Sequence, residues 1–378
     1  MKLFDVYPLF PIEPVKASGS WLWDTNGKKY LDLYGGHAVI SIGHNHPHFT
    51  EALKSQLDKI SFYSNSVQNS LQEKLADKLG QLSGYPNHQL FLCNSGAEAN
   101  ENALKLASFV NGRKKVISFR KAFHGRTSGV VAATDNPKIV APFNAGHDIV
   151  FLPFNDEQAF LQAIHTDVAA VIIEGIQGVG GIHAPTESFL KLLSSKCKET
   201  GALLILDEVQ SGYGRTGKFF AHQHSGIEAD LITIAKGMGN GFPVGGVLIH
   251  PAIKPWSGML GTTFGGNYLA CAAALSVLEV IEQEDLMTNV VTLGNYLMDQ
   301  LRSFTSITEV RGQGLMIGFD LPDSWASLRK DLLFKHYIFT GEAKPNTVRL
   351  LPSLSLTREE ADIFLEALSV ELKNPVLQ

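Results

Sequence analysis

Between about residues 70 and 250, short apolar runs at Gln89–Cys93, Lys115–Phe119, Ile149–Leu152, Ala169–Ile173, Ala202–Leu206, Leu231–Ala235 and Gly246–Ile249 alternate with helical stretches near 97–110, 156–165 and 186–200. Runs this apolar suit strands buried on both faces, and strands separated by helices favour a parallel sheet. The expectation is an α/β fold: a large domain on a mostly parallel seven-stranded sheet, plus a smaller α+β domain. A chain of 378 residues is long enough for both.

Three of these runs are followed directly by charged residues. Val171-Ile172-Ile173 leads to Glu174, Leu203-Leu204-Ile205-Leu206 to Asp207, and Leu231-Ile232-Thr233-Ile234-Ala235 to Lys236, with a glycine-rich turn after the lysine. Ligands of open α/β sheets bind beyond the carboxyl ends of the strands, so one amine and two carboxylates should converge on a crevice there. An isolated lysine at a strand end is usually a solvated surface group. In this company it fits a lysine that forms a Schiff base with a carbonyl cofactor while an aspartate keeps a pyridine nitrogen protonated.

Cys93-Asn94-Ser95-Gly96-Ala97-Glu98 follows a strand and opens a helix. Ser95 and Glu98 have capping-box spacing, and the free amides beside small Gly96 and Ala97 suit a phosphate monoester. Gly212-Tyr213-Gly214-Arg215-Thr216-Gly217 matches GxGxxG, but it sits five residues beyond its strand and no helix clearly follows. That context speaks against a dinucleotide site. His44, His46 and His48 alternate in a proline-broken loop without nearby cysteines or paired acids, which argues against a metal.

Charged residues make up 18% of the chain, below the roughly 25% of soluble domains, so much of it should be buried. A net charge of −5 with both signs interspersed predicts neither a nucleic-acid nor a membrane partner. Cys93, Cys197 and Cys271 are far apart and imply no disulfide framework or thiolate zinc site. Asp5 and Pro8 interrupt the N-terminal apolar stretch, and Glu279 interrupts 268–281, so neither reads as a signal peptide or a membrane span. The expected location is the cytoplasm.

Outside the central region, Asn26-Gly27 predicts a hairpin between short N-terminal strands, and a helix follows near 49–60. Helices are expected at Tyr268–Gln283, Leu286–Leu301 and Glu359–Leu372, with a strand within 310–320. The N-terminal strands should pack on the C-terminal part. The expected division is 1–50 as part of the small domain, 51–260 as the large domain, and 261–378 as interdomain helices and the rest of the small domain.

The segments 207–217, 230–236 and Gly261-Thr262-Thr263-Phe264-Gly265-Gly266-Asn267 closely resemble the class III pyridoxal-phosphate-dependent aminotransferases, and most nearly their acetylornithine branch. The resemblance runs from about residue 15 to 370. It implies fold type I, pyridoxal 5'-phosphate as cofactor, and a homodimer with shared sites. By the same likeness Lys236 carries the cofactor, Asp207 pairs with the pyridine nitrogen, Gln210 reaches the ring's 3-oxygen, and Ser95, Gly96 and Ala97 seat the phosphate.

In Ala122-Phe123-His124-Gly125-Arg126-Thr127 the resemblance implies that Phe123 stacks on the ring and Arg126 grips the substrate α-carboxylate. Thr263 would reach the partner's cofactor phosphate and Thr262 would lie near substrate. Arg349 would be a second carboxylate-binding arginine, with Glu174 also in the substrate region. The family usually reads Glu-Pro-x-Gln-Gly-Glu-Gly-Gly where this chain has Glu174-Gly175-Ile176-Gln177-Gly178-Val179-Gly180-Gly181, and Val179 cannot pair with Arg349 as the missing acid would. Either an anionic acyl group such as succinyl compensates the arginine, or Arg349 serves 2-oxoglutarate and is otherwise hydrated. The implied reaction moves the δ-amino group of an N-acylornithine to 2-oxoglutarate, in arginine biosynthesis. Ornithine or 4-aminobutyrate as donor, and a non-catalytic binding protein on the same fold, stay open.

Overall fold

The computed structural model describes residues 1–372, so the last six positions of the expected 261–378 segment lie outside it. Its centre is a seven-stranded sheet built from β1 (Gln89–Cys93), β2 (Lys115–Phe119), β3 (Ile149–Leu152), β4 (Val168–Glu174), β5 (Leu203–Asp207), β6 (Leu231–Ile234) and β7 (Gly245–Ile249). The spatial order is β1-β7-β6-β5-β4-β2-β3. All neighbours pair in parallel except β7, which lies antiparallel between β1 and β6. Each expected strand forms within one residue of its expected ends.

Every residue of β4, β5 and β6 is buried, as expected for a sheet covered on both faces. Helices 96–111, 157–163 and 187–200 supply crossovers, and the two longer ones end on a glycine in the left-handed conformation, Gly112 and Gly201. The register places Glu174 opposite Asp207 and Asp207 opposite Thr233, so the carboxyl ends of the three strands are level. This alignment brings together charges that lie 33 and 29 residues apart along the chain.

Two smaller four-stranded sheets flank the centre. Pro14–Ser18, Trp21–Asp24 and Lys29–Asp32 form an antiparallel meander, and the C-terminal strand Ile338–Phe339 joins it in parallel beside Lys29–Asp32. The turn at Asn26-Gly27 forms as expected, with Gly27 in the left-handed region and its N–H donating to Asp24 O. The other sheet contains Glu309–Gln313, Met316–Asp320, Thr347–Leu350 and Gly341–Ala343. Helices form at Tyr268–Gln283, Leu286–Arg302 and Arg358–Leu372, while the N-terminal helix runs over Pro47–Leu57. Pro47 at its first turn sets that start, earlier than periodicity suggests.

The GxGxxG segment is a chain of turns. Its Arg215 is buried and donates to the backbone carbonyls of Leu315, Pro352 and Ile40, tying β5 to the C-terminal part. The three loop histidines separate, His44 to Asp32, His46 to Glu284 and His48 to Glu279. No helix among the described residues is long and apolar enough to cross a membrane.

Candidate active site

A cavity of about 390 Å³ opens at the carboxyl ends of β4, β5 and β6. Ser95, Gly96, Ala97, Phe123, Arg126, Glu174, Asp207, Gln210 and Lys236 all line it, so most residues singled out in the sequence meet in one place. Arg349 lines an adjoining cavity instead, and Thr262 and Thr263 line neither. Within one subunit, Thr262 accepts a hydrogen bond from Gly265 N at 3.1 Å, and Thr263 is exposed.

Lys236 begins a single 3-10 turn with φ of 45°, a conformation that costs a side-chain-bearing residue about 1 kcal/mol and has to be held by its surroundings. The hold comes from the N-terminal part. Ser41 Oγ donates to Gly237 O at 2.7 Å, and Asn240 Oδ1 accepts from the amides of Ser41 and Ile42 at 2.9 and 3.2 Å. Burial pushes the Lys236 amine well below its ordinary value; Asp207 and Glu174 oppose that shift and Arg349 reinforces it. A lowered amine basicity is what nucleophilic and proton-transfer roles require.

Asp207 is buried and pinned by three donors. His124 Nδ1 and Asn100 Nδ2 each lie 2.8 Å from Oδ2, and Val209 N donates to Oδ1 at 3.0 Å. A carboxylate only accepts, so His124 carries its proton on Nδ1. Asn100 is held in turn by Thr233 Oγ1, which donates to Oδ1 at 2.6 Å. Neither His124 nor Asn100 had a role in the sequence reading. His124 lies inside the Ala122–Thr127 segment, whereas Asn100 carries no local signal beyond being a polar residue on the buried face of a helix.

Glu174 is lifted to about 7, first by burial and further by the neighbouring Asp207 charge. Its two oxygens accept from Phe123 N at 3.0 Å and Gly178 N at 3.1 Å, so it orients the segment carrying Phe123. At the helix start Ser95 Oγ accepts from Glu98 N at 3.2 Å as expected. The reciprocal half of the capping box is displaced by one residue, because the Glu98 carboxylate takes Asn94 N at 2.8 Å and Asn94 Nδ2 at 2.9 Å. Arg126 is exposed at the rim.

A phosphorylated pyridine aldehyde suits this donor set. The amides of Gly96 and Ala97 open a helix of 16 residues and meet no protein acceptor among the described residues, which leaves them for an anion. A side chain at position 96 would press within 2.7 Å of Val209, so the close approach of helix and loop needs glycine. Gln210 donates Nε2 to His37 O at 3.1 Å, while its buried Oε1 has no partner among the described residues, and a hydroxyl on a bound ring would supply one.

Residues 5–372 match the family model for class III aminotransferases. The chain belongs to that family. Acetylornithine aminotransferases from Bacillus subtilis and Archaeoglobus fulgidus are 44% and 42% identical to it, over 95% and 93% of this chain and 94% and 93% of theirs. Among solved structures it is similar to the ornithine aminotransferase of Toxoplasma gondii, with a TM-score of 0.90 and 29% identity over 98% of this chain and 94% of that one. It is also similar to the acetylornithine aminotransferase of Elizabethkingia anophelis, with a TM-score of 0.83 and 31% identity over 98% and 96%. This class III aminotransferase uses pyridoxal 5'-phosphate, the cofactor its cavity suits.

Proposed function

We propose that this class III aminotransferase moves the δ-amino group of an N-acylated ornithine to 2-oxoglutarate, yielding an N-acylglutamate semialdehyde and glutamate in arginine biosynthesis. The observation that carries the reading is one cavity joining Lys236, the pinned Asp207 and, at its rim, Arg126, in a chain whose relatives at 36–44% identity are named acetylornithine aminotransferases. Pyridoxal phosphate supplies a carbonyl for the amine and a ring that withdraws electrons from the reacting carbon.

Asp207 holds the ring nitrogen, Ser95, Gly96 and Ala97 hold the phosphate, Phe123 covers the ring face and Gln210 meets the 3-oxygen. Lys236 Nζ would hold the cofactor through its carbonyl carbon, and its free amine would accept the proton leaving the donor's δ-carbon and hold it on Nζ for return. Its lowered basicity lets it act in both directions. Arg126 binds the α-carboxylate through its planar fork, which directs the distal amine toward Lys236. Thr262 and Thr263 act in the partner's site of a homodimer; neither lines this subunit's own cavity, which supports that placement. Residues 51–260 form the cofactor domain, and 1–50 joins the small domain with the C-terminal part, as the strand Ile338–Phe339 beside Lys29–Asp32 suggests.

The similarity to ornithine aminotransferase structures keeps unacylated ornithine as a second reading. A panel of N-acetylornithine, N-succinylornithine, ornithine and 4-aminobutyrate with 2-oxoglutarate separates them. Acylated donors should give the highest kcat/KM; a higher value for ornithine or 4-aminobutyrate would remove the proposal.

A further inference from the structure

A second cavity, of about 780 Å³, adjoins the first across Val39, which lines both. Its charged and polar lining includes Tyr34, His37, Arg329, Arg349, Asp32 and Glu342. The acids are already engaged. Asp32 accepts from the amides of Tyr34 and Gly35 at 3.0 and 2.8 Å and faces His44 Nε2 at 2.8 Å. Glu342 pairs with Arg329 at 2.8 Å.

Arg349 is the exception. It is 4% exposed, and its partners are all neutral oxygens: Glu342 O at 2.9 Å, Gly178 O at 2.8 Å and the Tyr34 hydroxyl at 3.0 Å. Three of its five N–H groups are used, and no acid pairs with it among the described residues. Val179, next to Gly178, offers only hydrocarbon. A buried guanidinium without a counter-charge is strongly destabilising, so this position favours an incoming anion.

His37 stands at the same junction in an uncommon backbone. Gly35, Gly36, His37 and Ala38 all have positive φ, 55°, 55°, 71° and 62°. The left-handed turn places the imidazole against the Tyr34 ring, with centroids 4.7 Å apart, and Arg349 lies 5.6 Å from the same ring. His37 O also accepts from Gln210, so the turn is tied to the cofactor cavity. Burial lowers the imidazole's basicity, and the positive charges of Lys236 and Arg349 lower it further. A carboxylate arriving between them would reverse the electrostatic part of that shift.

We propose that this second cavity takes the acyl group of the donor, that His37 with Arg349 determines its specificity, and that the preferred ornithine is acylated by a dicarboxylic acid whose second carboxylate stays free. The inference rests on the N-acylornithine reading and deepens it. If Arg349 served only 2-oxoglutarate, donor binding without 2-oxoglutarate would not depend on an acyl carboxylate or on His37.

The test is calorimetric binding of N-succinylnorvaline and N-acetylnorvaline, which lack the reactive amine, to the holoenzyme, alongside single-turnover kcat/KM for the corresponding ornithines without 2-oxoglutarate. The succinyl compounds should be favoured about tenfold or more in both, the scale of one charge-assisted pair. His37→Asn, chosen because asparagine tolerates the left-handed backbone, and Val179→Glu, which places an acid by Arg349, should each cut that preference about fivefold or more. Equal or better performance of the acetyl compounds in the wild type, or a preference untouched by both substitutions, would overturn this inference alone. Turnover of neither acylated ornithine would overturn the functional reading and this inference with it.

Discussion

His124 Nδ1 lies 2.8 Å from Asp207 Oδ2, with both side chains buried, and so the imidazole backs the carboxylate that faces the cofactor cavity. With Asn100 and Val209 it gives the carboxylate three fixed donors and a single orientation. His124→Ala should lower kcat by about one to two orders of magnitude, the equivalent of one hydrogen bond to a charged group. Steady-state kinetics with cofactor in excess checks this. A variant that lost cofactor affinity but kept full kcat at saturation would assign His124 to packing alone.

Among the described residues, Lys236 is the only lysine lining the cavity. Borohydride reduction of the reconstituted wild type, followed by peptide mapping, should attach the cofactor at position 236 and abolish activity. Lys236→Ala should take no label and should lack turnover with every donor. Labelling at another lysine, with 236 unmodified, would remove the assignment.

Glu174 carries a pH signature in the cofactor-free protein. Its carboxyl rises from 4.5 to about 7 on folding, so between these values the folded state holds more of the proton than the unfolded state does. Stability from this group is therefore present below about 4.5 and is lost as pH rises toward 7, by on the order of 3 kcal/mol in total. Denaturant midpoints of wild type and Glu174→Gln at pH 5 and 7.5 measure the effect. The wild type should lose more stability across that interval than the variant, and parallel curves would contradict the assignment.

Arg215 predicts a purely structural defect. Burial lowers its basicity to about 9, and its partners are the carbonyls of Leu315, Pro352 and Ile40. Arg215→Ala should leave a cavity and unpaired carbonyls, destabilising the protein by about 2–4 kcal/mol. The thermal midpoint should fall, while the ranking of donors at a permissive temperature should hold. A change in donor ranking would place Arg215 in the site instead.

Local pattern carried much of the outline. Runs such as Val168–Glu174 are apolar over their whole length because both sheet faces are covered, and that need is visible residue by residue. Lys236, Asp207 and Glu174 were legible for a related reason: parallel strands in register end level, so a charge following each apolar run has one common place to go. The Ser95 cap was legible too, since capping depends on neighbours three residues apart, although its carboxylate partner moved to Asn94.

What the chain's own order determined, then, is the set of elements and the chemistry at their ends, because helical and strand periodicity and strand termination are short-range consequences of side-chain burial. Tertiary structure alone decided that β7 slots antiparallel between β1 and β6, that His124 meets Asp207 across 83 residues, and that Tyr34 meets Arg349 across 315. Those contacts follow from how separate apolar faces pack and from where a buried polar group can find a partner. No pattern within a few residues encodes either one.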